Sequence, residues 1–145
     1  MSRLTYEMKI IGRCAADFKN ERLQQYDLIT RQADVILSVF RNPGISQDDL
    51  AKAMVLNKST MTRLLPTLEE KGLIERRVSP TDRRETLNYL TPAGEALVPE
   101  IRRINSEWAE YLMAEFSEEE AQAMEALLGK AARRAKEYKQ GRLKP

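Results

Sequence analysis

Residues 57–90 read NKSTMTRLLPTLEEKGLIERRVSPTDRRETLNYL, and the periodicity of the chain changes inside that stretch. Met61, Leu64, Leu65 and Leu68 recur at i, i+3, i+4 and i+7, the spacing that lines one face of an α-helix. Asn57 stands where an N-cap belongs, and Gly72 where the chain must leave the helix. Beyond Gly72 the pattern becomes strand-like. Leu73–Val78 and Thr86–Leu90 flank the turn-forming residues Ser79, Pro80, Thr81, Asp82, Arg83 and Arg84, which predicts a β-hairpin.

Working upstream, Ser46 followed by Asp49 is a capping-box-like start for a short helix that turns Leu50, Ala51 and Met54 inward and ends near Val55. Thr30 is positioned to cap an earlier helix with Ala33, Ile36, Leu37 and Phe40 at the same spacing, stopped by Asn42, Pro43 and Gly44. Two short helices, a tight turn between them and a hairpin after them make a winged helix-turn-helix. The second helix of such a unit fits a major groove about 12 Å wide.

The apolar stripe on that second helix leaves Lys58, Ser59, Thr62 and Arg63 on another face. Arg63 is the candidate base reader, because a guanidinium donates bidentately to guanine O6 and N7, while the hydroxyls of Ser59, Thr60 and Thr62 suit phosphates or base edges. Net charge alone gives no hint of such a partner, at +2 from 24 basic and 22 acidic residues. Its placement does. Residues 57–63 carry Lys58 and Arg63 with no acid, and residues 76–84 carry Arg76, Arg77, Arg83 and Arg84 against Asp82 alone.

Outside this unit, Leu4, Met8, Ile11, Ala15 and Phe18 form a stripe on an N-terminal helix. Thr91 and Pro92 start another, with Leu97, Ile101, Ile104, Trp108 and Tyr111 at heptad spacing and a bend expected at Pro99. Ser117 and Glu120 form a capping box for a last helix carrying Ala121, Met124, Leu128, Ala131, Ala135 and Tyr138. A winged unit of about 45 residues is too small to bury three long helices. They are expected to bury each other in a homodimer, through Leu4, Met8, Ile11, Trp108, Leu112, Met124, Leu128 and Ala131. Lys130–Lys144 carries seven basic residues (Lys130, Arg133, Arg134, Lys136, Lys139, Arg142, Lys144) against Glu137, as suits a helix C-terminus.

The expected fold is mainly α with a small β-hairpin wing. A single domain spans 1–145: a winged helix-turn-helix over 30–90, dimerisation helices over 1–27 and 91–138, and a basic C-terminal tail over 139–145 that frays. The chain has no histidine and one cysteine, so the usual zinc ligand sets cannot be assembled, and no glycine-rich phosphate loop or nucleophile elbow appears. Neither an enzyme nor a cofactor is expected. Without a signal-peptide pattern or a bilayer-length apolar run, the expectation is a cytoplasmic protein with no membrane partner. A winged-helix module that binds protein instead of DNA is the alternative.

The segments STMTRLLPTLEEKGLIERR and SPTDRRETLNYLTPAG resemble the recognition helix, glycine turn and wing of the MarR family of bacterial regulators, named for multiple antibiotic resistance. The resemblance extends over nearly the whole chain. It implies a homodimeric repressor on a palindromic double-stranded DNA operator, released by a small lipophilic or phenolic ligand whose contacts here are unassigned. By position, Ser59, Thr60, Thr62 and Arg63 look like the family's groove-facing residues. Asp82, Arg83 and Arg84 fall on its wing motif, where Asp82 would orient Arg84. Two departures from the pattern are Pro66, which removes a backbone donor from the recognition helix, and Asn88, which stands where the return strand normally has an apolar residue. Some relatives sense hydroperoxides through a first-helix cysteine. The position of Cys14 differs from that pattern, and a buried, inert thiol is expected.

Overall fold

A computed structural model describes residues 2–142. The helices are α1 (Arg3–Leu23), α2 (Thr30–Arg41), α3 (Gln47–Met54), α4 (Lys58–Glu70), α5 (Pro92–Leu112) and α6 (Glu118–Arg142). A 3-10 turn over Gln24–Tyr26 follows α1. Three strands, β1 (Ile45–Ser46), β2 (Ile74–Val78) and β3 (Thr86–Leu90), form an antiparallel sheet in the order β1-β3-β2. This is the expected mainly α architecture with a hairpin wing, to which β1 adds a short third strand. The chain divides into two compact units, Met1–Trp108 and Ala109–Pro145.

In the first unit the core is aliphatic. Val35 and Ile36 of α2, Leu50 of α3, Met61, Leu65 and Leu68 of α4, Ile74 of β2 and Ile101 and Ile104 of α5 are all shut from solvent. The four-residue stripe that predicted α4 is buried in full. Pro66 lies within α4 without ending it. Its ring is on the exposed side, and so is Thr62, whose carbonyl loses the bond a non-proline N–H would make. Gly72 follows α4 at φ +71, with Gly72 N–H and Leu73 N–H donating back to the carbonyls of Glu69 and Leu68 (2.9 and 3.0 Å). The left-handed geometry suits a residue without Cβ.

The hairpin pairs Ile74 with Leu90 through Val78 with Thr86. Leu73 precedes the first strand and is buried below it. The start of α5 is held there by Thr91, whose hydroxyl donates to Gly72 O (2.6 Å) and accepts from Gly94 N–H (3.1 Å). Gly94 allows the close approach, since a Cβ there would lie 2.1 Å from the carbonyl oxygen of Leu73.

Several local expectations are corrected. The N-cap of α2 is Ile29, with Thr30 already helical; Ile29 N–H donates to Gln32 Oε1 (3.0 Å), while Thr30 N–H and hydroxyl both donate to Asn20 Oδ1 (2.8 and 2.7 Å). Asn57 holds the N-cap position of α4 but makes no side-chain cap bond. Phe40 is 39% exposed, with Arg102 stacked over its ring at 5.0 Å. Cys14 is exposed, not buried, because it lies on the face of α1 that turns away from the core. Helix α6 continues through Lys139 to Arg142 where fraying was expected, and the rest of the basic tail, including Lys144, lies outside the described residues.

Asn88 is buried completely, yet it is not an error in an apolar strand. Its Nδ2 donates to Ile45 O (3.0 Å) and its backbone carbonyl accepts from Gly44 N–H (2.8 Å), so it fastens β1 to the hairpin.

Candidate nucleic-acid interface

Helix α4 is oriented by its buried stripe, so its opposite face is determined by geometry. Lys58, Ser59, Thr62 and Arg63 are exposed there and Thr60 is half-buried. Upstream, α3 begins at the N-cap Ser46, whose Oγ accepts Asp49 N–H (3.1 Å). It ends at Val55, held left-handed at φ 57. This bend, unusual for a β-branched residue, sets the turn into α4.

The two helices are joined at their first turns. Asp48 of α3 lies 3.8 Å from the Lys58 ammonium, and Gln47 Nε2 donates to Thr62 Oγ1 (3.1 Å), whose own proton goes to Lys58 O (2.9 Å).

The wing contributes a second basic group. Between the strands, Ser79 N–H donates to Glu85 O (2.9 Å) and Ser79 Oγ accepts from the N–H groups of Thr81 and Asp82 (3.3 Å each). Asp82 Oδ1 then accepts from both N–H and Nε of Arg84 (3.0 and 3.1 Å), and Oδ2 from Nη2 (3.4 Å). These bonds hold the Asp82 carboxyl below the usual carboxylate range and the Arg84 side chain, 91% exposed, in one direction. Arg83 is exposed beside it.

Arg77 is partly spoken for. Its Nη2 pairs with Glu75 Oε2 at 3.0 Å, its guanidinium lies 4.5 Å from the centre of the Tyr89 ring, and its bond to Glu75 lowers that carboxyl's pKa. Arg76 differs from the other wing arginines: it is half-buried, its Nη2 donates to Gln47 Oε1 (2.8 Å), and its Nε is shut from solvent.

Of the sequence-predicted residues, Lys58, Ser59 and Arg63 share one open face, and Arg83 and Arg84 crown the wing. Arg76 is tied inward through Gln47, which also bonds the exposed Thr62. That glutamine carried no sequence signal beyond its place after a cap.

The residues expected to dimerise are unevenly covered. In the first unit Leu4 and Met8 are exposed, Ile11 is half-buried, and Trp108 is half-buried against Phe18 with ring centres 5.3 Å apart. In the second, Leu112 and Met124 are half-buried, while Leu128 and Ala131 are exposed.

Near the corner between α1 and α2, a cavity of about 470 Å³ is lined by Asn20, Glu21, Gln24, Asp27, Leu28 and Ile29. Leu28 and Ile29 give it an apolar part, beside the carboxylates of Glu21 and Asp27. Among the described residues no helix is long and apolar enough to cross a membrane.

The MarR family model matches residues 28–86, the segment from α2 to the start of β3. A Thauera aromatica relative named for the hcr operon is 48% identical over 56 residues, which is 39% of this chain and 34% of that protein. The match thus spans about a third of that relative's length. Two solved structures align over nearly their whole length. MarR is 32% identical with a TM-score of 0.83, covering 92% of this chain and 98% of that one. The S. aureus MepR–DNA complex is 30% identical with a TM-score of 0.83, covering 91% and 98%. With the family's helix-turn-helix and wing present in order, and this identity sustained over the full length of a solved member, the chain belongs to the MarR family of DNA-binding transcriptional regulators.

Proposed function

We propose that the protein is a cytoplasmic, sequence-specific repressor that binds a palindromic operator as a homodimer and is released by a small lipophilic or phenolic ligand. The observation that carries the reading is the open face of α4. Lys58, Ser59 and Arg63 project from a helix whose other side is fully buried, and a second basic group stands on the wing. In this reading Arg63 and Ser59 meet base edges, Thr60 and the α4 start at Asn57 and Lys58 meet phosphates, and Arg77, Arg83 and Arg84 track the backbone, with Asp82 presenting Arg84 to a narrow minor groove. The solved MepR–DNA complex supports the choice of DNA as the partner.

A homodimer is supported by the exposed apolar residues of α1 and α6, Leu4, Met8 and Leu128 among them. Two recognition helices related by a two-fold axis would meet half-sites about 10–10.5 base pairs apart.

The test is duplex selection from a random library, followed by titration of the preferred inverted repeat in rising salt. A dimer touching roughly six to ten phosphates loses on the order of 10³ to 10⁵ in affinity between 50 and 200 mM salt. Arg63→Ala should relax preference at one position of each half-site at a cost of about 1–3 kcal/mol, while Arg84→Ala weakens binding with less change in preference. Weak binding with no preferred sequence would sink the reading and favour a protein partner.

A further inference from the structure

We infer that Gln47 is a positioning residue for operator recognition: its side-chain amide locks the wing strand β2 to the first turn of the recognition helix, and so sets the offset at which helix and wing meet the duplex. The inference rests on the DNA-binding reading of that surface.

Its backbone is fixed on both sides. Ser46 immediately before it is buried, pairs with Leu87 on β3 and caps α3. The side chain then makes two bonds of opposite sense. Its oxygen accepts Arg76 Nη2 at 2.8 Å and its nitrogen donates to Thr62 Oγ1 at 3.1 Å. Neither bond can be reversed. A guanidinium has only donors, and the Thr62 hydroxyl has already given its proton to Lys58 O at 2.9 Å, so it meets Gln47 as an acceptor. With the protons so placed, an acceptor and a donor on one short arm satisfy both partners at once. Glutamate lacks the donor, and methionine has no donor and only a weak thioether acceptor.

The consequence is mechanical. The reading face of α4 and the arginines at the wing tip sit on separate elements, and a duplex must accept both at once. The path Arg76–Gln47–Thr62 is a polar tie between them, and Asp48 beside Lys58 braces the same two turns. Arg76 thereby changes role. With Nη2 bonded inward and Nε shut from solvent, it anchors the tie instead of reaching for a phosphate. On the opposite strand its register partner Asn88 holds β1, the strand that carries Ser46 into Gln47.

The experiment compares affinity for the inverted repeat selected by the wild-type chain with affinity for a scrambled duplex of equal length, over a range of salt. Gln47→Met should lower this discrimination about tenfold while leaving scrambled-duplex affinity and the salt slope unchanged. Thr62→Ser should keep wild-type discrimination and Thr62→Val should lose as much as Gln47→Met, with the Gln47→Met/Thr62→Val pair no worse than either alone. Arg76→Gln should lower discrimination with the slope intact.

Three outcomes overturn the inference: Gln47→Met discriminating like wild type, additive losses in the pair, or a salt slope that falls by about one per protomer in Arg76→Gln, as loss of a phosphate contact requires. Thr62→Val alters an exposed helix position, so it remains informative if the Gln47 variants fold poorly. A wild-type chain that selects no duplex overturns this inference and the functional reading together, whereas a selective wild type with an equally selective Gln47→Met overturns this inference alone.

Discussion

Helices α4 and α6 bear the same kind of apolar stripe and meet opposite surroundings. On α4, Met61, Leu65 and Leu68 are fully shut from solvent and Leu64 nearly so. On α6, Met124 is half-buried and Leu128, Ala131, Ala135 and Tyr138 are exposed; no residue of that helix is buried among those described. A repeat of apolar residues therefore reports that a face must be covered, without saying what covers it. For α4 the cover includes α3 and the sheet, with Gln32 of α2 bonded to Thr67 at its edge. For α6 the described residues of the 109–145 unit leave that face largely open, and each large aliphatic side chain left open forgoes about 1.5–3 kcal/mol of burial.

Truncating a leucine of α4 breaks the comparison most directly. Leu65→Ala should cost about 2–5 kcal/mol of unfolding free energy at every protein concentration, because it opens a void in a closed core. Urea unfolding at two concentrations tenfold apart checks this, and a loss that vanished on dilution would place the α4 contacts outside the single chain.

The next effect tests whether the winged unit is as tightly packed at its edge as at its centre. A Cβ at Gly94 would lie 2.1 Å from Leu73 O, and that oxygen also accepts Thr91 N–H (3.1 Å), so neither backbone is free to yield. Gly94→Ala should destabilise by about 3 kcal/mol, the upper end for an overpacked site. Thermal melts would measure it. A cost below that of an ordinary surface substitution would mean that α5 slides easily on the sheet.

How much of this was readable beforehand depended on whether the partners were near in sequence. The recognition helix, the glycine after it and the switch to strand spacing are local signals, and the element bounds fall within a residue of expectation. Cap chemistry was less legible: Thr30 looked like the better cap, but Gln32 satisfies Ile29 N–H and Asn20 takes both of the Thr30 donors. Phe40 matched the stripe yet lies at its margin, where an arginine on α5 covers it instead of the core.

Strand β1 is two residues long, too short for any alternation. Gln47 was illegible for a different reason. Its partners lie 15 and 29 positions away on a helix and a strand, and only the folded register brings them to one amide. Cys14 departs from expectation because a lone free cysteine is usually a core residue, whereas this one lies on a face of α1 turned away from the core.

A smaller effect sharpens the contrast on the α6 side. Leu128→Glu replaces a leucine that is 45% exposed in the single chain, so it should leave the unfolding free energy of the dilute monomer within about 0.5 kcal/mol. In a dimer that covers this face, the buried charge should weaken association at least about tenfold, or about 1.4 kcal/mol. Sedimentation equilibrium separates the two expectations, and an unchanged association constant would remove α6 from the dimer surface.

The smallest effects are in acid, where the two units should respond with opposite signs. Burial pushes the Asp34 carboxyl on α2 above its ordinary 3.8, with the charges of Lys19 and Arg41 offsetting part of the rise. Its folded form therefore holds a proton at a pH where the unfolded chain has released it, and this group's contribution to stability grows as pH falls through the folded value towards 3.8. Glu120 at the start of α6 is the reverse. Ser117 N–H donates to its carboxylate at 3.0 Å and lowers its pKa below 4.5, so its contribution is present above 4.5 and is lost as pH falls through the folded value. Carboxyl carbon shifts followed by NMR from neutrality to strong acid should show two transitions, the first that of Asp34 above its ordinary 3.8 and the second that of Glu120 below its ordinary 4.5. Asp34→Asn should remove the first transition without moving the second. If Glu120 titrated at or above its ordinary value, the capping box would not be charged, and Ser117 Oγ, which accepts Glu120 N–H (3.1 Å), would be left to mark where α6 begins.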